Sequence, residues 1–486
     1  MTQTEKIAHL LRRFGLGAGK YEVARYEKLG LDGAIDRLLN YEKVDEGFPV
    51  SPWEFCAQAN GQLQFDPYQF ASWWGLRFLL TQRPLQERLT LFWHDHFAVS
   101  GAKVFDGPAM MKYQQTLRRN ASGNFRTLLK EVSKEPAMLY WLDNAQSVKE
   151  HPNENFAREL LELFTMGSGF TEKDIKEAAR AFTGWSVHFG GIGDESEFYK
   201  QQERAARSGR SVFNYCFVPD VHDSGVKTIL GRTGSFDGDA ALDILADRPE
   251  TARHITGKLW EWFAYASPEP KLREKLAKTF VDARLEVKPV LRAIVESNEF
   301  WSERCVRGRP KSPVDFTVAI FRALDLREII LTLRGKREDP FQPMPKEVRG
   351  AGDGVTFLMS AQGLLLHFPP DVGGWEWGES WITSNNMRLR LQHADLMFWG
   401  DDPARPIAAY LAAKIKGEFS PQSAGDVVDA VLTVFDGKVP PKSRDTLIET
   451  CARAGGPSAL NAKDPAAGML ASVCKVLFSA PEFQVC

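Results

Sequence analysis

Apolar side chains return every three to four residues along almost the whole chain, a period that admits helices and little else. Residues 5–16 set Ile7, Leu10, Leu11 and Phe14 on one stripe before Gly15 and Gly17 interrupt it. Stripes of the same kind recur from 21–40 to 466–479, with interruptions at 41–52, 190–212, 302–313 and 335–354. Strand-like pieces are confined to 185–189 and 212–218, on either side of a Gly-rich, charged stretch, and predict one small β-hairpin. The fold class that follows is all-α: a multi-helical globular array with at most a hairpin near 185–218. We divide the chain near 305. Residues 1–305 form a main helical domain with the unusual polar motifs, and 306–486 a C-terminal helical part that completes the core.

Charge and composition exclude several functions. With 61 Lys and Arg against 63 Asp and Glu, the net charge of -2 provides no field to gather nucleic acid or an anionic membrane. No apolar run reaches the ~18 residues of a transmembrane segment, and residues 1–6 lack the apolar core of an export signal, which predicts a soluble chain. Six cysteines stand singly, without the paired spacing of a zinc knuckle. The loop Gly15-Leu16-Gly17-Ala18-Gly19 follows a helix rather than a strand, so it is no dinucleotide fingerprint and no nucleotide cofactor is expected. The 32 Phe and 13 Trp are more than a routine core needs. Trp93, Trp185, Trp375, Trp377 and Trp381 each lie within or beside a polar or Gly/Pro-rich motif, so these indoles either wall a common pocket or disperse through the core.

Three segments concentrate groups able to do chemistry. In 83–97, Pro84 suits a first helical turn, and Glu87 and His94 fall on a common side seven residues apart. His94 and His96 diverge by about 200° on a continuous helix, so they meet one metal only if the helix ends near Trp93. Otherwise they are a helix-terminal pair bonded to the last carbonyls. In 153–167, Asn153 caps a helix on which Glu154, Arg158 and Glu162 sit four apart on one side, with Asn155, Glu159 and Glu162 in a neighbouring row. Those carboxylates either ligate a metal or act as acid and base, or they form a solvated face of Glu–Arg pairs. In 368–377 the run Phe-Pro-Pro-Asp-Val-Gly-Gly-Trp-Glu-Trp makes a rigid turn whose Trp375 and Trp377, with Trp381, either stack on a ligand or plug the core.

Together these segments, FWHDHFAVS, NENFARELLELFTMG, EKDIKEAARAFTGW, HDSGVKTILG with FDGDAALDIL, and PPDVGGW, resemble the bacterial family catalogued as domain of unknown function 1800. The likeness runs from about residue 7 to the terminal APEFQ and departs from the commonest form at Ser224 and Val226. It implies a mostly helical fold and a family whose members are often exported, and it implies no particular reaction.

Two functions compete. In the first the chain is an enzyme of hydrolase type, with His94, Glu159 and Glu154 as catalytic groups and His94, His96, Glu87 and Glu162 as ligands to a divalent metal, Zn, Fe or Mn. Its substrate-binding residues are Trp185, Arg158, Trp375, Trp377 and Trp381, and its substrate belongs to the cell envelope or is a polysaccharide. In the second the chain is a helical scaffold that binds a protein partner and whose buried polar networks fix helix register.

Overall fold

A computed structural model describes every residue except 59–61, 190–194, 209 and 400–405. Among the described residues there are 26 α-helices and two two-stranded antiparallel sheets, so the chain is mostly α with small β elements. Helix ends fall where local chemistry puts them. Thr2, Thr171, Ser312 and Ser423 each close a capping box with the acidic residue three positions on, and Asn153 and Asp237 cap through their side chains. The expected hairpin pairs Trp185–Phe189 with Phe213–Phe217. The charged stretch between its strands, expected to be a break, carries the helix Glu195–Arg207. A second pair, Lys227–Ile229 with Arg232–Gly234, was not expected; it turns through Leu230 and Gly231, both at positive φ.

Two hydrophobic cores are built. The larger gathers side chains from Ile7 to Trp381, and the smaller runs from Phe316 to Phe483. Helix Pro313–Ala323 serves both, giving Val314 and Val318 to the first and Phe316 and Ile320 to the second. The segment beyond 305 reaches well into the first core, because helix Lys346–Ala361 lies against helix Pro67–Leu80, where the Thr356 hydroxyl donates to the Ala71 carbonyl. Helix Pro84–His96 runs through this larger core, and nearly every residue on it is buried. Helices Pro67–Leu80, Gly107–Arg119 and Gln3–Phe14 surround it, so charged side chains on any of its faces must find partners inside the protein. No described helix is long and apolar enough to cross a membrane.

Candidate functional site

Helix Pro84–His96 continues unbroken past Trp93, and the Phe97 N–H closes on the Trp93 carbonyl. The early ending that would have turned His94 and His96 toward one ion does not occur, and the two imidazoles enter separate environments.

His94 is completely buried in an aromatic enclosure. Its ring centroid lies 5.5 Å from Trp74, 5.5 Å from Trp375, 6.0 Å from Tyr113 and 5.6 Å from a second imidazole, His367. His367 is also fully buried, 5.4 Å from Trp74, at a left-handed backbone position (φ 67°) fixed in part by the Gly101 N–H on its carbonyl. Neither ring has a hydrogen-bond partner on either nitrogen. A buried polar atom without a partner costs about 1–3 kcal/mol, so four on two adjacent rings is a large local penalty. Burial pushes His94 down to about 3, and burial, His94 and Arg118 hold His367 well below the ordinary imidazole range. Both rings are therefore neutral at physiological pH, each with one nitrogen able to accept a proton or bind an electrophile.

Glu87, two turns before His94 on the same face, is also fully buried, but its carboxylate is fully occupied. It accepts from Arg77 Nε at 2.6 Å, from Arg118 Nε at 2.8 Å and Nη2 at 3.0 Å, and from Trp74 Nε1 at 2.9 Å. Burial alone would raise its pKa; Arg118 and Arg77 outweigh that and hold it at about 2. Glu87 thus touches the enclosure only through Trp74, whose indole bridges the carboxylate and His94.

Asp95 faces the turn that closes the enclosure. Its two oxygens accept from the Trp375 N–H and from Trp377 Nε1, each at 2.8 Å. Gly374 is required here: it stands at φ 86°, and a Cβ on it would lie 2.4 Å from Asp95 Oδ1. Burial raises Asp95 to about 7 against the pull of these donors and Lys258.

His96 points the opposite way. Its Nε2 meets the Phe164 carbonyl at 3.1 Å, and His254 meets the neighbouring Leu163 carbonyl at 3.1 Å. Both carbonyls belong to the π-helical turn Leu160–Thr165 that follows helix Glu154–Glu159. The histidine and glutamate motifs are therefore joined through the main chain. Glu154 and Glu162 are exposed, Glu159 is half-buried and raised by burial and by Glu162, and Arg158 forms a bidentate pair with Glu172. No ring of the His94 enclosure comes from this segment. The proposed ligand set of His94, His96, Glu87 and Glu162 is not assembled, and among the described residues no three His, Cys, Asp or Glu side chains are grouped to hold a metal ion.

The five indoles divide. Trp375 walls the enclosure, Trp377 packs against Trp262 at 4.2 Å and against Trp381 at 6.1 Å, and Trp93 packs on the His96 side against Phe125. Trp185 stands apart, in contact with Phe182 and Tyr215 beneath Lys134. Trp375 and Trp381 are buried, and only Trp377 of the three keeps partial exposure. His222 and Asp223 tie the same region down, bonding the Thr183 carbonyl and Arg180.

Sequence reasoning missed His367. One signal was there: it is the lone ionisable residue between Asp353 and Asp371, directly before the Pro-Pro turn.

A family model described as "Protein of unknown function (DUF1800)" matches residues 9–485, nearly the whole chain. No curated protein and no solved structure matches it.

Proposed function

The chain belongs to this family of proteins of unknown function, and from that premise we propose that it is a hydrolase-type enzyme whose reacting groups are His94 and His367. One observation carries the reading: four unpartnered nitrogens on two adjacent, neutral, buried imidazoles. Burial without partners destabilises the fold, and such sites persist where the strained groups have work to do. In this reading one imidazole takes a proton from a water or substrate hydroxyl on its free nitrogen, and the other gives the proton of its own N–H to the leaving group. The aromatic walls exclude bulk water and keep both rings neutral. Glu87 is a positioning residue acting through Trp74. Trp375, whose N–H is held by Asp95, covers His94, so in this reading the 368–377 turn has to move before substrate reaches the rings. A divalent metal is the alternative to that proton transfer, because an imidazole nitrogen that binds a metal cannot also take a proton; His94 and His367 would then be its protein donors, and it would supply a polarised water.

The test is turnover of chromogenic esters, phosphates and glycosides by wild type, His94→Gln and His367→Gln, with metal analysis of each preparation. We expect turnover that either substitution lowers by at least about 100-fold, within the range for general acid–base groups, while the melting temperature holds or rises. Turnover that is absent, or insensitive to both substitutions, sinks the reading. It would then favour a scaffold role, which the extensive partnering of Glu87, Asp95 and Asp315 supports.

A further inference from the structure

A second polar cluster lies away from the histidines, where the first helix meets the C-terminal part. Five cations converge there on two carboxylates. Asp436 accepts from Arg12 Nη1 at 2.8 Å and from Arg307 Nη2 at 3.0 Å. Asp315 accepts from Arg88 Nη2 at 2.6 Å and pairs with Arg309 at 3.3 Å, and it also takes the Ser312 hydroxyl within its own capping box. The fifth cation, Lys311, is buried and hydrogen-bonds to no side chain; its ammonium stands 3.7 Å over the Phe483 ring. Four arginines against two carboxylates leave an excess of two positive charges, to which Lys311 adds whenever it is protonated. Arg13, also fully buried, donates only to the Cys305 carbonyl and the Cys486 sulfur. Burial pushes the Cys305 thiol up, so it offers no counter-charge.

These groups are not close-packed. Arg12, Arg88 and Lys311, with Asp315 and Asp436, line a small cavity of about 20 Å³. That is more than a bound water needs. Asp436, with its side chain 20% exposed, gives the cavity access to solvent. Nε of Arg12, one of the lining residues, is buried without a partner. Unpaired buried cations cost several kcal/mol each, and the chain's near-neutral total charge does nothing to relieve a local excess. The Gly-rich loop after the first helix closes one wall: a Cβ on Gly17 would lie 2.9 Å from Ala319, so the glycine serves close packing against helix Pro313–Ala323.

We infer that this cavity binds a small inorganic oxyanion, phosphate or sulfate, with Lys311 and Arg12 as its principal ligands. A tetrahedral anion would supply the missing negative charge and accept from the ammonium and from the free guanidinium N–H groups. Burial, with Arg307, pushes Lys311 down to about 7, and an anion beside it would restore its charge.

The experiment is isothermal titration and thermal melting of the whole protein with sodium phosphate and, separately, sodium sulfate. Ionic strength is held constant with gluconate, too large to enter. Wild type should show a saturable one-to-one site and a saturable rise in Tm. Lys311→Met should melt no lower than wild type without anion, since it removes a buried unpaired charge, yet bind at least roughly tenfold more weakly, the loss of about 1.4 kcal/mol. Asp436→Asn, which removes a competing carboxylate, should bind more tightly than wild type. Absence of a saturable site, equal responses in wild type and Lys311→Met, or weaker binding by Asp436→Asn would overturn the assignment. Preference for phosphate or for sulfate identifies the ion, and a response to chloride alone overturns the oxyanion.

Discussion

Helix Pro84–His96 and the helical segment from Glu154 to Thr165 carry similar densities of charge and resolve them in opposite ways. The first is interior on every face. Glu87 is neutralised by Arg77 and Arg118, Arg88 by Asp315, and Asp95 by main-chain and indole N–H donors from 280 residues downstream. The second turns Glu154 and Glu162 to water and pairs Arg158 with Glu172, with side chains 36% and 68% exposed. A charge can enter the interior only where remote segments deliver its partners, and on the buried helix His94 is the side chain left with no partner at all. That exception marks the candidate site.

Acid should separate the two regions most strongly. Burial holds His9, His94 and His393 near 3 and His254 near 4, and holds His96 and His367 well below the ordinary imidazole range. An unfolded histidine titrates near 6.5, so below that pH the unfolded chain takes up protons that the native chain refuses. Native stability from these six groups is complete above about 6.5 and is lost as pH falls toward 3, at about 1.4 kcal/mol per group and pH unit. Asp95, raised to about 7, and Asp106, raised to about 6, have the opposite sign: the native state binds their protons more readily, so their contribution falls as pH rises from about 4. Burial raises Glu46, Glu135 and Glu159 in the same sense, and the six imidazoles still outnumber these five carboxyls. We expect denaturant midpoints to drop steeply between pH 6.5 and 4; a flat profile there would show the imidazoles to be charged or solvated.

Glu87→Gln comes next. It leaves Arg77 and Arg118 sharing a neutral amide in the core, and removing one partner of a buried ion network costs about 3–5 kcal/mol. Chemical denaturation measures it, and a loss below about 1 kcal/mol would mean that water reaches the pair.

What could be read from sequence divides along the same line. The Asn153 cap and the Gly15 stop are local, set by residues a few positions apart, and they stand as expected; the two strands of the 185–218 hairpin were legible from their own residues, although Trp185 pairs as far away as Phe217. Helical periodicity also placed Glu87 and His94 on one face. It gave no means of seeing that Trp74 would come between them, that Arg77 and Arg118 would occupy the carboxylate, or that His367 would arrive beside His94 from 273 positions away, because those are long-range packing outcomes. Of the two readings open for His94 and His96, the structure removes the early helix end: Ala98-Val99-Ser100-Gly101 follows a helix that ends only after both histidines.

His94→Leu tests the exception on the buried helix. If its nitrogens are unpartnered, an apolar side chain of similar size should raise stability by about 1–3 kcal/mol while abolishing turnover. A destabilised variant would instead mean that the imidazole is bonded to something the protein holds in solution, and metal analysis or chelator titration would then identify it.

The smallest effect belongs to the exposed carboxylates. Glu162 bonds to no other side chain and faces solvent; what holds this turn in place is the carbonyls of Leu163 and Phe164, which meet His254 and His96. Glu162→Ala should therefore leave both the melting temperature and any turnover unchanged within error, since a solvated charge contributes little to stability. His96→Ala, two residues beyond His94 but on the other face, should destabilise the protein by leaving a main-chain carbonyl unsatisfied and opening a cavity. If Glu162→Ala abolished turnover while His94→Gln did not, the chemistry would belong to the solvated face, and the assignment of the reacting groups to the buried imidazole pair would be reversed.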